Sequence, residues 1–429
     1  MPISAGFFDG LFLFSVSVIW AMILYQLILT FFGYRYRQSI ESDSGDGGIP
    51  DEDLPSVTVL IPSRNEELVI AKTLERMLSL DYPEDKIEIV VINDGSTDKT
   101  GAIAQKLANK ESRITLIDLP KAESGSGKSH ALNIGLKHAR HEYIAVYDAD
   151  NNPEPVSLRR LVSHLYADKT LGGVIGKFRT LNRKKNLLTR FINIETLGFQ
   201  WILQAGRYRA FQIAILPGTN CVIRKDVLNA CGGWDEAAIT EDAELSVRIY
   251  QKGWKIKFVP TAVTWEQEPE KLGTWVRQRT RWVRGNNYVI RKFLKEALLL
   301  RNRFLSMEFI YLFLLYYLFL GAIVVSHLVF ILSGLGILSV STPGPYTAVW
   351  ISAFLMFLLE IVLVLSYEDE DTPSNIGVTA LMYLSYCQLW LWVVFRGLYL
   401  DLTRKRLGVW DKTERVAHEK ESVMEGEHG

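Results

Sequence analysis

Two aspartates one residue apart, Asp148 and Asp150, close the apolar run Glu142-Tyr143-Ile144-Ala145-Val146-Tyr147. In an extended chain residues i and i+2 point to the same side. The pair could then face one hard cation and leave room for phosphate oxygens. The same acids could equally open a polar loop, because Asn151, Asn152, Pro153 and Pro155 follow. A second acidic pair, Glu241-Asp242, comes after Thr240 and a Gly232-Gly233 turn. Thr240 reads as an N-cap, and acids in a first helical turn offset the macrodipole. A carboxylate placed there could also take the proton of an attacking hydroxyl.

A third group lies on the amphipathic stretch Trp275–Lys295, where Gln278, Arg281, Trp282 and Gly285 share one helical face. A ring beside an amide and a guanidinium suits a stacked sugar and a diphosphate. Arginine and tryptophan suit a helix at headgroup level just as well, and Phe191–Ala210 is a second candidate of that kind. Gly125-Ser126-Gly127-Lys128-Ser129 has the look of a phosphate loop, but Ala122 stands where the full motif needs its first glycine. Lys128 remains a candidate phosphate contact at a helix start.

Strand–helix alternation positions these groups. Strands are expected at Val57–Pro62, Lys86–Ile92, Arg113–Leu119 and Glu142–Val146, and helices after Glu67 to about Leu80, at Thr100–Asn109 and at Ser129–Ala139. Such a pattern is a doubly wound α/β layer, and its loops Ser63–Glu67, Asn93–Asp98 and Asp148–Asp150 would share one edge, where a nucleotide binds. Gly218–Arg224 reads as a small-residue turn leading into a further strand.

The ends of the chain are apolar. Phe7–Phe32 carries no charge and is long enough to cross a bilayer, and Arg35 and Arg37 behind it place the next domain in the cytosol. Three late runs, roughly Met307–Leu332, Tyr346–Leu365 and Ile376–Tyr399, make about four spans. Four spans put both termini outside, whereas Arg404, Lys405 and Arg406 favour the cytosol. Glu360 lies inside an apolar run, where a charge is costly. The expected division is a transmembrane helix at 7–32, a cytosolic domain at 54–300 that includes the interfacial helices, a membrane bundle at 304–400 and a polar tail at 401–429. Basic and acidic residues balance at 48 each, which gives no sign of a nucleic-acid partner. The three cysteines, Cys221, Cys231 and Cys387, show neither metal spacing nor a disulfide framework.

Pro62…Asn65-Glu66, Asn93-Asp94-Gly95-Ser96, Asp148-Ala149-Asp150, Thr240-Glu241-Asp242 and Gln278-Arg279-Thr280-Arg281-Trp282 occur in that order. This set resembles glycosyltransferase family 2, in the membrane-embedded processive branch that holds cellulose, chitin-oligosaccharide, hyaluronan and poly-N-acetylglucosamine synthases. The resemblance implies a GT-A (Rossmann-like) α/β fold and a UDP-sugar donor, UDP-N-acetylglucosamine or UDP-glucose, at the plasma membrane. By the resemblance Asn65, Glu66 and Asp94 would hold the nucleoside and Lys128 would lie near the donor phosphates. Asp148 and Asp150 would hold Mg²⁺ or Mn²⁺ and the diphosphate, and Asp242 would be the general base. Glu241, Gln278, Arg281 and Trp282 would line the acceptor and diphosphate site. Lys412-Thr413-Glu414-Arg415 after Trp410 resembles a tail of some bacterial members. The acceptor is a growing polysaccharide or a membrane lipid. Four spans are few for a self-contained polymer channel, so a homo-oligomer or a secretion partner is a further expectation.

Overall fold

The structure, a computed structural model, describes residues 5–42, 49–298, 306–307, 310–311, 314–338 and 342–403. In chain order α1 spans Ala5–Ser42, and β1 (Val57–Ser63), α2 (Ile70–Leu78), β2 (Ile87–Asn93), α3 (Thr100–Ala108), β3 (Ile114–Asp118), α4 (Lys128–His138) and β4 (Tyr143–Val146) follow. Next come β5 (Asn152–Pro153), α5 (Ser157–Ala167), β6 (Leu171–Thr180), α6 (Leu187–Gly198) and α7 (Gly206–Phe211), the last two joined by a π-helical stretch, Phe199–Ala205. The chain continues through β7 (Cys221–Arg224), α8 (Lys225–Cys231), α9 (Glu241–Gln251), β8 (Lys255–Glu266) and α10 (Leu272–Leu298). It ends with α11 (Leu320–Gly334), α12 (Tyr346–Ser366), α13 (Pro373–Leu384) and α14 (Tyr386–Thr403).

Two compact units emerge. One comprises residues 44–189 and 214–278; the other comprises 1–43, 190–213 and 279–405. The first, the sheet unit, is built on eight strands in the order β3-β2-β1-β4-β7-β6-β8-β5. β1 and β2 are buried along their whole length, as uninterrupted apolar strands covered on both faces must be. β3, β2, β1 and β4 are parallel, with Ser63 opposite Asn93 and Leu60 opposite Val146. Beyond β4 the sheet departs from the doubly wound expectation, because β7 runs antiparallel to β4 with Cys221 opposite Val146. That reversal delivers the loop before β7 to the edge where the parallel strands end. The core is one contiguous cluster that includes Val59, Ile61, Leu74, Ile89, Val91, Ala145 and Leu161.

The second unit is helical. Three helical stretches, Gly6–Ile40, Tyr346–Ser366 and Pro373–Thr403, are long and apolar enough to cross a membrane, and Tyr317–Ser333 is a shorter apolar helix. Three of the four expected spans are found among the described residues. The second, Met307–Leu332, falls partly outside them, as do the Arg404–Arg406 cluster and the 412–415 motif. Two glycines let α1 and the Phe199–Phe211 segment touch backbone to backbone. A Cβ on Gly33 would lie 2.2 Å from the Trp201 carbonyl oxygen, and one on Gly206 would lie 2.3 Å from that of Leu29. At the α10–α14 contact the buried Asp401 accepts hydrogen bonds from Arg284, Asn287 and Arg291 at 2.7–2.9 Å.

Candidate active site

The edge where β1, β2 and β4 end gathers most of the residues singled out above. After β1 the chain turns at Asn65, which adopts φ +54°. Asn65 is small and polar enough for that left-handed conformation. Its side-chain oxygen accepts from the Thr97 N–H at 2.7 Å, and its own N–H donates to Ser96 Oγ at 2.9 Å. The Glu66 N–H donates to Thr100 Oγ1 at 2.7 Å. The loops after β1 and β2 are therefore latched to each other. Asp94 is fully buried between them, with Oδ1 accepting from the Gly125 N–H at 2.6 Å and Oδ2 lying 3.8 Å from Arg64.

Lys128 opens α4, and its ammonium is the hub of the site. It lies 2.6 Å from Asp148 Oδ1, donates to the Gly218 carbonyl at 2.8 Å and sits 3.8 Å from Glu241 Oε1. Burial opposes its charge, but Asp148, Glu241 and Asp242 outweigh burial and hold its pKa above the ordinary lysine value. Acidic groups outnumber bases at this hub, which suits a cationic or cation-bridged ligand.

Asp148 and Asp150 do not share a strand face as the i, i+2 spacing predicts. β4 ends at Val146, and the Asn151 N–H closes a turn onto the Asp148 carbonyl at 3.1 Å. Asn151 drives the turn, because its side-chain oxygen accepts from the Asp148 N–H at 3.0 Å and from the Thr219 hydroxyl. Thr219 Oγ1 in turn accepts from the same Asp148 N–H at 3.0 Å. The result is an asymmetric pair: the Asp148 side chain is one-third exposed and Asp150 is 5 % exposed. Sequence reading missed Asn151 and Thr219 as positioning residues; a paired amide and hydroxyl in two loops 68 residues apart leave no local signal.

Gly218 was read only as part of a small-residue turn, and the structure gives it a sharper role. Its φ is +81°, and a Cβ there would lie 2.9 Å from Asp242 Oδ2 and 3.4 Å from Lys128 Nζ. Gly218→Ala should strain the backbone by about 1–2 kcal/mol. It should also push Asp242 aside and lower turnover on the order of 100-fold; unfolding midpoint and initial rate measure the two effects separately.

Thr240 occupies the N-cap position of α9, but its hydroxyl makes no capping bond. Its ψ of 72° is outside the extended range that a capping side chain needs. Asp242 instead accepts from the Ala243 N–H at 2.7 Å, so the carboxylate is held by the helix end that it was expected to stabilise. Behind it, buried Glu244 binds Arg248 at 2.8 Å, and Arg248 donates to the Gly233 carbonyl at 2.8 Å, which fixes the Gly-rich turn against α9. Cys221 begins β7 beside this group. Burial pushes its thiol up to about 12, with Asp242 and Asp148 adding to the rise against Lys128, so it is no thiolate nucleophile.

Gln278 belongs to the sheet unit, whereas Arg281 and Trp282 belong to the helical unit, the division falling within α10. All three are at least partly exposed on α10, and their neighbours Arg279 and Thr280 are buried. Arg279 was not singled out from sequence. Its guanidinium packs 3.9 Å from the Trp282 ring centroid and donates to Glu195 at 2.7 Å. Tyr386 and Trp390 also donate to the Glu195 carboxylate, at 2.8 and 2.7 Å. Glu195→Ala would leave the Arg279 charge buried without that carboxylate, which costs about 3 kcal/mol. A lower unfolding midpoint in detergent, with unchanged UDP affinity, is the expected result.

Two carboxylates, Asp148 and Asp150, are the residues that would hold a cation. Among the described residues no three of His, Cys, Asp and Glu converge as a metal-binding group. That donor set fits Mg²⁺ or Mn²⁺ completed by substrate phosphates rather than a preformed protein cage.

A parallel sheet half with carboxylates and a lysine gathered beyond its strand ends, continued by a mixed half in which β7 and β5 are reversed, defines a GT-A sugar-transfer fold. The profile described as "Glycosyltransferase like family 2" matches residues 55–285. A probable glycosyltransferase, YdaM of Bacillus subtilis (strain 168), is 42% identical over 416 residues, covering 96% of this chain and 99% of its own. The chain belongs to glycosyltransferase family 2 and is a glycosyltransferase. It is also similar to the poly-beta-1,6-N-acetyl-D-glucosamine synthase of Staphylococcus aureus (strain COL), at 29% identity over 69% of this chain and 72% of the other. The mannosyltransferase PcManGT from Pyrobaculum calidifontis, solved in complex with GDP-Man and Mn²⁺, shares the fold. Its TM-score is 0.60 at 21% identity, covering 87% of this chain and 99% of the other.

Proposed function

We propose that this enzyme transfers a hexose or N-acetylhexosamine from a UDP-sugar to the hydroxyl of a growing β-linked polysaccharide at the plasma membrane, with inversion. Residues 54–300 would act as the cytosolic transferase domain and 304–400 as the membrane bundle. The observation that carries the reading is the convergence of Asp148, Glu241 and the Gly218 carbonyl on Lys128, with Asp242 beside Gly218. The polymer product is supported by the relative named as a poly-N-acetylglucosamine synthase.

The donor's nucleoside would lie along the latched loops, held by Asn65, Glu66 and Asp94. Its diphosphate would reach Lys128, which exchanges part of its contact with Asp148 for phosphate oxygens. Mg²⁺ or Mn²⁺ held by Asp148 and Asp150 would supply charge neutralisation of the departing diphosphate. Asp242 takes the proton of the acceptor hydroxyl as its oxygen bonds to the anomeric carbon. The bond from that carbon to the diphosphate oxygen breaks on the opposite side, and its electron pair leaves with the diphosphate. Lys128 would stabilise that negative charge and Glu241 would orient the acceptor; the family resemblance gives Arg281 a part in the first task and Gln278 and Trp282 a part in the second. No covalent enzyme intermediate is required.

Transfer of one sugar to a membrane lipid is the rival reading, favoured by the three candidate spans among the described residues, few for a polymer channel. Membranes incubated with labelled UDP-N-acetylglucosamine or UDP-glucose decide between them. A polymer or long oligomer is expected; a labelled glycolipid alone would replace the polysaccharide acceptor. Polymer retained inside sealed vesicles would point to a secretion partner or an oligomer.

A further inference from the structure

The helical unit forms a partly open cavity of about 900 Å³ between α1, α11, α12, α13 and α14. Its wall is mostly aliphatic and aromatic, with Trp20, Trp350, Phe354, Phe357 and Trp390 among the lining side chains. Among the described residues Glu360 is the one carboxylate that lines it. Glu360 is 4 % exposed, and its Oε1 has no hydrogen-bond partner among the described residues. Ser326 also lines the cavity, and its hydroxyl is likewise unsatisfied there. No lysine or arginine lies among the described residues that line it.

We propose that this cavity binds a membrane lipid with a free hydroxyl, of the diacylglycerol kind, whose chains fill the apolar wall and whose hydroxyl donates to Glu360. A carboxyl group retained within an apolar helix bundle needs a hydrogen-bonding partner, and the protein leaves Oε1 for a donor from outside. The volume stands near the upper end for ligand pockets. The polar side chains of the wall, Gln26, Ser326, His327, Tyr383 and Gln388 beside Glu360, fall short of the several hydroxyls that each ring of a saccharide would bring. A phospholipid would bring a charged phosphate into a mostly apolar wall where no lysine or arginine among the described lining residues can pair with it. A phosphoethanolamine head pairs its ammonium with the same unwelcome phosphate. The site does not depend on which acceptor the transferase uses.

The test uses the full chain in detergent micelles and three probes with a diazirine in the acyl chain: diacylglycerol, phosphatidylglycerol and phosphatidylethanolamine. Cross-links are mapped by tandem mass spectrometry. Diacylglycerol should label the cavity-lining residues of α12 and α14, and unlabelled diacylglycerol should compete. Glu360→Leu should reduce that labelling at least about five-fold, as the loss of one hydrogen bond implies, whereas Glu360→Gln, which still accepts, should stay within about two-fold of wild type. Ala353→Trp, which fills the cavity, should abolish it. An unfolding midpoint in detergent close to that of wild type reports that the helical unit of each variant is folded. The proposal is overturned if the lining residues are not labelled, if either phospholipid labels them equally, or if Glu360→Leu changes nothing. It is also overturned if Glu360→Gln loses labelling as fully as Glu360→Leu, because charge rather than a hydroxyl would then hold the ligand.

Discussion

Asp242→Asn should abolish sugar transfer, by roughly 10²- to 10⁴-fold in initial rate, while UDP binding stays nearly intact. Asparagine keeps the size of the side chain and an oxygen for the Ala243 N–H that Asp242 now binds. It loses only the ability to accept a proton. The geometry makes Asp242 the stronger candidate of the acidic pair, since Glu241 is 7 % exposed and already faces the Lys128 ammonium. Transfer from labelled UDP-sugar measures the first quantity and calorimetric titration with UDP the second. Wild-type turnover in Asp242→Asn would remove the base assignment, and a loss confined to Glu241→Gln would move it one residue back.

Asp150→Ala should weaken the Mn²⁺-dependent part of UDP binding by at least about ten-fold, since even the loss of a group that merely supports a metal ligand costs that much. The two carboxylates are unequal in the structure, one buried and one against Lys128. Neither belongs to a three-ligand group among the described residues. Mn²⁺ alone should therefore bind feebly, and UDP should raise its affinity, with the reciprocal gain in UDP affinity that linkage requires. Titrations of wild type and variant with and without Mn²⁺ read both. UDP affinity in wild type that ignores Mn²⁺ would sink the metal role outright.

The parallel half of the sheet was legible because β1, β2 and β4 are short apolar runs that end in polar loops. Register then carries those loops to one edge without further information. The mixed half, where β7 and β5 are reversed while β6 and β8 run with the parallel strands, was not. β6 holds three glycines, at 172, 173 and 176, and β8 is partly polar, so neither reads as a clean apolar or alternating strand. Asp148 and Asp150 were found by type and spacing, but their geometry was misjudged because the turn is made by Asn151, whose partner Thr219 is remote in sequence. Thr240 illustrates the reverse error: residue preference points to a cap, while the local backbone angles leave its hydroxyl unused. Glu195 lies in a stretch recognisable only as amphipathic, and nothing local marks it as the acceptor for Arg279, Tyr386 and Trp390.

The sheet unit is encoded in two pieces, because residues 190–213 leave it to join the helices and the chain then returns for β7 and β8. That interruption governs how the enzyme can be cut. A fragment of residues 55–285 would contain every strand, yet it would carry an excursion whose Ile192, Ile194, Leu197 and Trp201 are buried in the intact protein. Without the rest of the helical unit, the glycine contact at Leu29 would be gone and these side chains would lose the helices of that unit. Anchor removal therefore does not yield a well-behaved soluble enzyme. A minimal catalytic fragment needs a short polar bridge in place of 190–213, or α1 supplied as a separate peptide in a micelle.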